Sequence, residues 1–312
     1  MQVAINIISY NVAARCVAIA IAWIGVTYYV SEDSMGRFID KLEKISKKNK
    51  SLLCVGLDPH PDQVPVSDIF EFNKAIIENT QHLVCAYKPN LGFYEALGIN
   101  GLRILEKTLE IIPADIVVIG DAKRGDIGST SDAYARALYD VWGFDAITCN
   151  PFAGFDSVTP FLRSDKGVFF WCRSSNPGAK DFQDLIVSAP HLDVGIPYYE
   201  YLARTIGSWE TEADIGLVVG ATYPSELKRI RDACPSLPIL VPGVGSQGGM
   251  LEASVASGID SHGAGVLISA SRQVLYASSS PDGYAAAAQN AAATLRDSIN
   301  EVLQAEGSEW ME

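Results

Sequence analysis

The sequence predicts an α/β protein: a single-domain (β/α)8 TIM barrel behind an apolar N-terminal extension. Three observations carry that prediction. Eight short apolar runs alternate with eight amphipathic segments from residue 52 onward. The runs are near-continuous in apolar residues, as in parallel strands covered on both faces. Polar and charged residues follow the C-terminal ends of the runs, where barrels carry their chemistry. An eightfold alternation over this length suits a closed barrel better than an open doubly wound sheet.

The strands are expected at Leu52–Leu57, Leu83–Lys88, Ile116–Asp121, Ala146–Thr148, Gly167–Cys172, Ile215–Val219, Ile239–Val241 and Val266–Ser269. Each is rich in Val, Ile, Leu or Phe and ends near a Gly, Pro, Asn or Asp, the residues that punctuate strands. The helices are expected at Ile69–Thr80, Leu102–Ile111, Ser131–Tyr139, Asp156–Phe161, Tyr198–Ile206, Ser225–Ala233, Gly249–Ser257 and Gly283–Gln304. Two connections are long enough to be insertions, Asn90–Asn100 after the second strand and Ser174–Pro197 after the fifth. No low-complexity linker divides the chain beyond Met35, so residues 35–312 read as one catalytic domain and residues 1–34 as the extension.

Composition narrows the function classes. Hydrophobic residues make up 48% and charged residues 20%, which excludes an intrinsically disordered chain. A net charge of -13 argues against a broad nucleic-acid footprint, but a phosphate needs only a few well-placed donors. The six Cys show no CxxC spacing and the four His no HExxH pair, so no metal site is expected.

The strand ends bring together Asp58, Lys88, Asp121 with Lys123, Asn150, Ser174 with Ser175, and Arg272. The densest stretch is IGDAKRGDIGST, residues 119–130. Asp121 and Lys123 are two apart, so in an extended segment they share a face. Lys88 should project beside them, and Asp126 lies on the following loop. One reading is an ordinary salt-bridge cluster at a barrel rim. The other is an alternating charge network in which each ammonium keeps a carboxylate ionised and the reverse. Such a network suits a reaction that generates a carbanion and then protonates it. Arg124, between the key residues, is expected to point outward and pair on the surface.

DAKRGDIGST resembles the DxKxxD signature of the orotidine 5′-phosphate decarboxylase family in its longer bacterial (type 2) form. Supporting matches follow the family's order: VGLDP at Asp58, YKPN at Lys88, CRSSNPGAKDFQ at Ser175, VPGVGSQGG at Gln247 and SASR at Arg272. The resemblance implies decarboxylation of orotidine 5′-phosphate to uridine 5′-phosphate in pyrimidine biosynthesis, without metal or cofactor. It implies Lys123 as proton donor to C6 of the pyrimidine, Asp121 beside the departing carboxylate, and Lys88 bridging Asp121 and the ribose. Asp58 would contact the ribose, Ser175 the pyrimidine edge, and Gln247 with Arg272 the phosphate. Asp126 and Thr130 would reach into a neighbouring subunit's site, making a homodimer with shared active sites. The family carries neither signal nor anchor, which implies a cytoplasmic enzyme with no membrane partner.

The residues agree with this at the phosphate end. PGVGSQGG lets backbone amides approach an anion, a helix begins just after it, and Arg272 offers a planar fork of donors. Asp58 is read equally well as a cap for the turn at Pro59, Asn90 as a plain turn residue, and the choice between Ser174 and Ser175 stays open. Two further functions compete. A magnesium-dependent sugar-phosphate decarboxylase or aldolase of the same DxKxxD group would need an added acidic ligand near Asp121. A membrane-tethered binding protein would use the N-terminus as its anchor.

That N-terminus differs from the rest of the chain. Arg15 is the only charged side chain before Ser31, and CVAIAIAWIGVTYYVS spans residues 16–31. It reads as a signal or short membrane segment, as an added extension, or as sequence upstream of a true start at Met35. The last is the expectation adopted, because every barrel element follows Met35. A chain beginning at Met35 should then fold and turn over as well as the full-length one. Loss of activity or of a cooperative melt in the shorter chain would assign the upstream residues to the domain.

Overall fold

A computed structural model describes residues 37–190, 192–244, 248–308 and 310, with residues 248–250 by their backbone alone. The extension, the boundary at residues 34/35 and the start at Met35 therefore lie outside the described residues. Eight parallel strands close into a barrel: β1 (Leu53–Leu57), β2 (Ala86–Pro89), β3 (Val117–Arg124), β4 (Ala146–Cys149), β5 (Gly167–Arg173), β8 (Asp214–Val219), β9 (Ile239–Pro242) and β10 (Val266–Ala270). Consecutive barrel strands pair, and β1 closes the ring against β10 with Leu53 opposite Ile268. The two remaining strands, β6 (Ile186–Val187) and β7 (Ile196–Pro197), form a small antiparallel hairpin inside the predicted insertion after β5.

All eight predicted strands are present, displaced by no more than a few residues at their ends. The outer helices follow the amphipathic segments. Helix α2 (Ile69–Thr80) has the predicted bounds, because the Asp68 carboxylate accepts from the Phe70 and Glu71 amides at 2.8 and 3.3 Å and caps it. The insertion after β2 is itself helical, with α3 (Leu91–Glu95) capped by Asn90 and α4 (Gly98–Glu110) starting earlier than expected. The predicted helix at Ser131–Tyr139 begins sooner, as α5 (Gly128–Ala135), and passes into a π-helical turn over Arg136–Val141. The short α6 (Phe155–Val158), then α7 (Tyr198–Gly207), α8 (Pro224–Ala233) and α9 (Gly248–Gly258) follow, and α11 (Tyr284–Ala305) completes the ring.

The charged stretch after residue 36 forms α1 (Phe38–Asn49), an element the eightfold pattern does not contain. Its apolar face, Phe38, Leu42 and Ile45, is buried, and Glu43, Lys44, Lys47 and Lys48 are exposed. The helix lies under the N-terminal ends of the strands. Arg37 and the Ile39 amide both bond Asp214 at the start of β8, the latter at 2.9 Å. Lys41 donates to Asp145 at 2.7 Å, just before β4. Phe38 meets Phe169 edge-on at 5.9 Å and lies where a β-carbon on Gly167 would stand. A glycine at the foot of β5 thus makes room for the ring that stoppers the barrel.

Phe38→Ala should open that end at a cost of about 3–5 kcal/mol, the usual loss for a buried Phe. Urea unfolding measures it, and a change below about 1 kcal/mol would show that the ring is not part of the core.

Candidate active site

The mouth of the barrel is built from the C-terminal ends of its strands. Lys88 on β2 and Lys123 on β3 both reach Asp121. Lys88 Nζ donates to Asp121 Oδ2 at 2.7 Å, and Lys123 Nζ donates to Oδ1 at 2.5 Å. The Lys88 and Asp121 side chains are 5% and 9% exposed, whereas that of Lys123 is 35% exposed. Burial disfavours the Asp121 anion, but the two ammonium groups outweigh it and hold the carboxyl well below the usual range. Burial likewise works against the Lys88 charge, and Asp121 with Asp58 overcomes it and raises this lysine above its ordinary value. Asp121 and Lys88 therefore both stay ionised around neutral pH.

The strand does not reach this arrangement as a regular extended segment. Gly120 pairs with Ile147 and Arg124 with Cys149, so β3 bulges between them. Within the bulge Lys123 has φ 47°, in the left-handed region that costs a side-chain-bearing residue roughly 1–2 kcal/mol. The prediction that Asp121 and Lys123 meet holds, but through this bulge and not through strand alternation.

Asp58 follows β1. Its carboxylate accepts from Ser271 Oγ at 2.7 Å and from the Asn90 amide at 3.2 Å. It thus reaches across to the ends of β10 and β2 and does not cap its own turn. Asn90 is more than a turn residue, since its side chain caps α3 and its Nδ2 lies 3.5 Å from Asp121 Oδ2. Ser174 Oγ donates to Asn176 Oδ1 at 2.8 Å and shares contacts with Gln183. Ser175 is exposed and its side chain makes no hydrogen bond among the described residues. It sits against Gly220, where a β-carbon would come within 2.7 Å of the serine Cβ. Of the two serines, Ser175 is thus the one with a hydroxyl to offer at the mouth. Arg272 opens the short α10 (Arg272–Leu275), is exposed, and has no ion-pair partner among the described residues. Gln247 lies outside the described residues. Arg124 points away as expected, pairing with Glu95 and stacking 5.3 Å from Tyr134.

Two predicted site residues do not join the cluster of their own chain. The Asp126 carboxylate accepts from the Ile127 amide at 2.7 Å, and Thr130 is exposed on α5. Within one chain the charge cluster consists of Asp121 with Lys88 and Lys123. Sequence reading also passed over three residues. Thr148 on β4 donates to Asp121 Oδ1 at 2.9 Å, Ser271 holds Asp58, and the Trp171 ring of β5 lies 6.0 Å from the Lys123 ammonium. Thr148 and Trp171 sit inside apolar runs, where nothing distinguishes a mouth-facing side chain from a core one. Among the described residues no group of three or more His, Cys, Asp or Glu could hold a metal ion, and no helix is long and apolar enough to cross a membrane.

Fold and site together define a barrel enzyme with a Lys88–Asp121–Lys123 cluster at its mouth. The sequence profile of the orotidine 5′-phosphate decarboxylase / HUMPS family matches residues 51–288, and the chain belongs to this family. It is 47% identical over 266 residues to orotidine 5′-phosphate decarboxylase of Dehalococcoides mccartyi, covering 85% of this chain and 97% of that protein. The enzyme of the same name from Thermomicrobium roseum is also 47% identical, over 273 residues, covering 85% and 95%. Among solved structures, Leishmania donovani OMP decarboxylase superposes with a TM-score of 0.75 at 38% identity, covering 86% of this chain and 99% of that one.

A carboxyl held below its unfolded pKa adds stability that is complete above the unfolded value, about 3.9, and is lost as pH falls through the folded value. Lys88→Met removes one of the two ammonium groups that depress Asp121 and keeps most of the side-chain volume. The folded-state pKa of Asp121 then rises, and acid unfolding followed by circular dichroism should begin at a higher pH than in the wild type. Superimposable acid transitions would show that Lys88 does not control this carboxyl.

Proposed function

We propose that the Lys88–Asp121–Lys123 cluster is the reaction centre of a cofactor-free carboxy-lyase. The chain converts orotidine 5′-phosphate to uridine 5′-phosphate and carbon dioxide, a step of pyrimidine nucleotide synthesis. The bond from C6 to the carboxylate breaks and leaves its electron pair on C6. Lys123 stabilises that developing charge and delivers a proton from its ammonium to C6, so carbon dioxide departs and the lysine is left neutral until solvent reprotonates it. Asp121 lies beside the departing carboxylate, where like-charge repulsion is relieved as neutral carbon dioxide forms.

The observation that carries the assignment of roles is the unequal exposure of the two lysines. Lys88 is enclosed and serves to hold Asp121 and the ribose, while Lys123 is open to the mouth and can meet a pyrimidine. Asp58 binds the ribose and the exposed hydroxyl of Ser175 the pyrimidine edge. Arg272, without an ion-pair partner among the described residues and beside the anchored Ser271, binds the phosphate together with Gln247. The protein works in the cytoplasm.

Asp126 and Thr130 act in the site of a second copy of the chain. Support comes from their surroundings. The loops after β3 and β4 are joined by the Asn150 amide donating to the Arg124 carbonyl at 2.7 Å. They expose Ile127 by 64% and Phe152 by 85%, apolar surface of the kind that a two-fold interface covers.

The test is turnover of orotidine 5′-phosphate in the presence of EDTA, by wild type and by mixed variants. Lys123→Ala and Asp126→Ala should each be inactive alone. After subunit exchange about half the dimers are mixed, and each has one intact composite site, so about a quarter of all sites should recover. Confirmed heterodimers without recovery would place Asp126 outside the partner's site. Absence of wild-type turnover would overturn the reaction itself.

A further inference from the structure

The bulge in β3 leaves one residue of β4 opposite the whole catalytic segment. With Gly120 paired to Ile147 and Arg124 to Cys149, the residues Asp121, Ala122 and Lys123 share the single partner position Thr148. In a regular ladder the Lys123 amide would donate to a backbone carbonyl of β4. Here it donates to Thr148 Oγ1 at 3.0 Å. The hydroxyl has one proton, and because it accepts from the amide that proton is free for an acceptor. It goes to Asp121 Oδ1 at 2.9 Å, the same oxygen that receives Lys123 Nζ at 2.5 Å. Lys123 is thus held at both ends, its backbone amide through the hydroxyl and its ammonium directly, on one carboxylate oxygen. Thr148 is 1% exposed, so no water competes for these bonds.

We propose that Thr148 is a positioning residue that aims the Lys123 ammonium by clamping its left-handed backbone to the Asp121 carboxylate. This rests on the reading of Lys123 as proton donor. A β-branched residue is needed to stand stiffly in a strand, and a hydroxyl is needed to face a donor and an acceptor at once. Valine has the shape without the hydroxyl. In its place the Lys123 amide loses its acceptor inside the barrel, the bulge relaxes toward another backbone conformation, and the ammonium shifts from C6. Substrate contacts at the ribose and phosphate come from other strands and are unchanged.

The experiment compares Thr148→Val, Thr148→Ala and Thr148→Ser with wild type and Lys123→Ala, in steady-state turnover of orotidine 5′-phosphate and in thermal unfolding. Loss of the hydroxyl should lower kcat by roughly 10- to 100-fold, the scale of a small misplacement of a reacting group. KM should stay within about threefold, and Thr148→Ser should return kcat to within about threefold of wild type. Adding Thr148→Val to Lys123→Ala should cost nothing further, because the clamp acts only through that lysine. Thr148→Ala, which cannot clash, reads the same loss if the valine variant does not fold. A near-normal kcat in a hydroxyl-free variant overturns the clamp, as does a serine variant as impaired as valine, or a rise in KM alone. Lys123→Ala with normal turnover would instead remove the proton-donor reading on which the clamp depends.

Discussion

The Asp121 carboxylate is the point on which the mouth of the barrel depends. An ammonium as enclosed as that of Lys88 is stable only with an anion beside it, since an unpaired buried charge costs several kcal/mol. Asp121 supplies that anion, and in turn needs donors on both oxygens. Lys88, Lys123, Thr148 and Asn90 provide them from β2, β3, β4 and the turn after β2. The arrangement therefore couples three neighbouring strands at their C-terminal ends. Any displacement of one strand would leave a buried charge or donor unmatched, so the cluster also aligns the strands around it.

The barrel divides its labour between its two ends. At the N-terminal end the demands are those of packing. Phe38 fills the space left by Gly167, and Asp214 and Asp145 tie α1 across the strand starts. At the C-terminal end the demands are those of chemistry, and local regularity gives way. The β3 bulge, the left-handed Lys123 and the close approach of Ser175 to Gly220 all lie there. Such departures persist because the rest of the barrel over-determines them.

Much of this was legible in the sequence. The eight strands were visible because parallel strands buried on both faces must be apolar throughout, and Lys88, Asp121 and Lys123 stood out as charges ending such runs. Helix α1 was not separated as an element because the eightfold rhythm does not predict a helix outside it. Thr148 and Trp171 stayed hidden because an apolar run does not say which of its side chains meet the mouth. Asp126 was read, by resemblance, as serving a neighbouring subunit's site, and within its own chain its carboxylate accepts from the Ile127 amide.

Sequence alone determined the barrel, the family and the identity of the charged residues, because hydrophobic periodicity and a spaced motif are properties of the chain itself. Tertiary structure decided how those charges are held. Which lysine is enclosed and which is open depends on strand neighbours distant in sequence, Lys88 and Asp121 being 33 residues apart, and the hydroxyl that takes the Lys123 amide lies 25 residues further along the chain. The conformation of Lys123 follows from an offset between β3 and β4, and a register between two strands is set only when they pair.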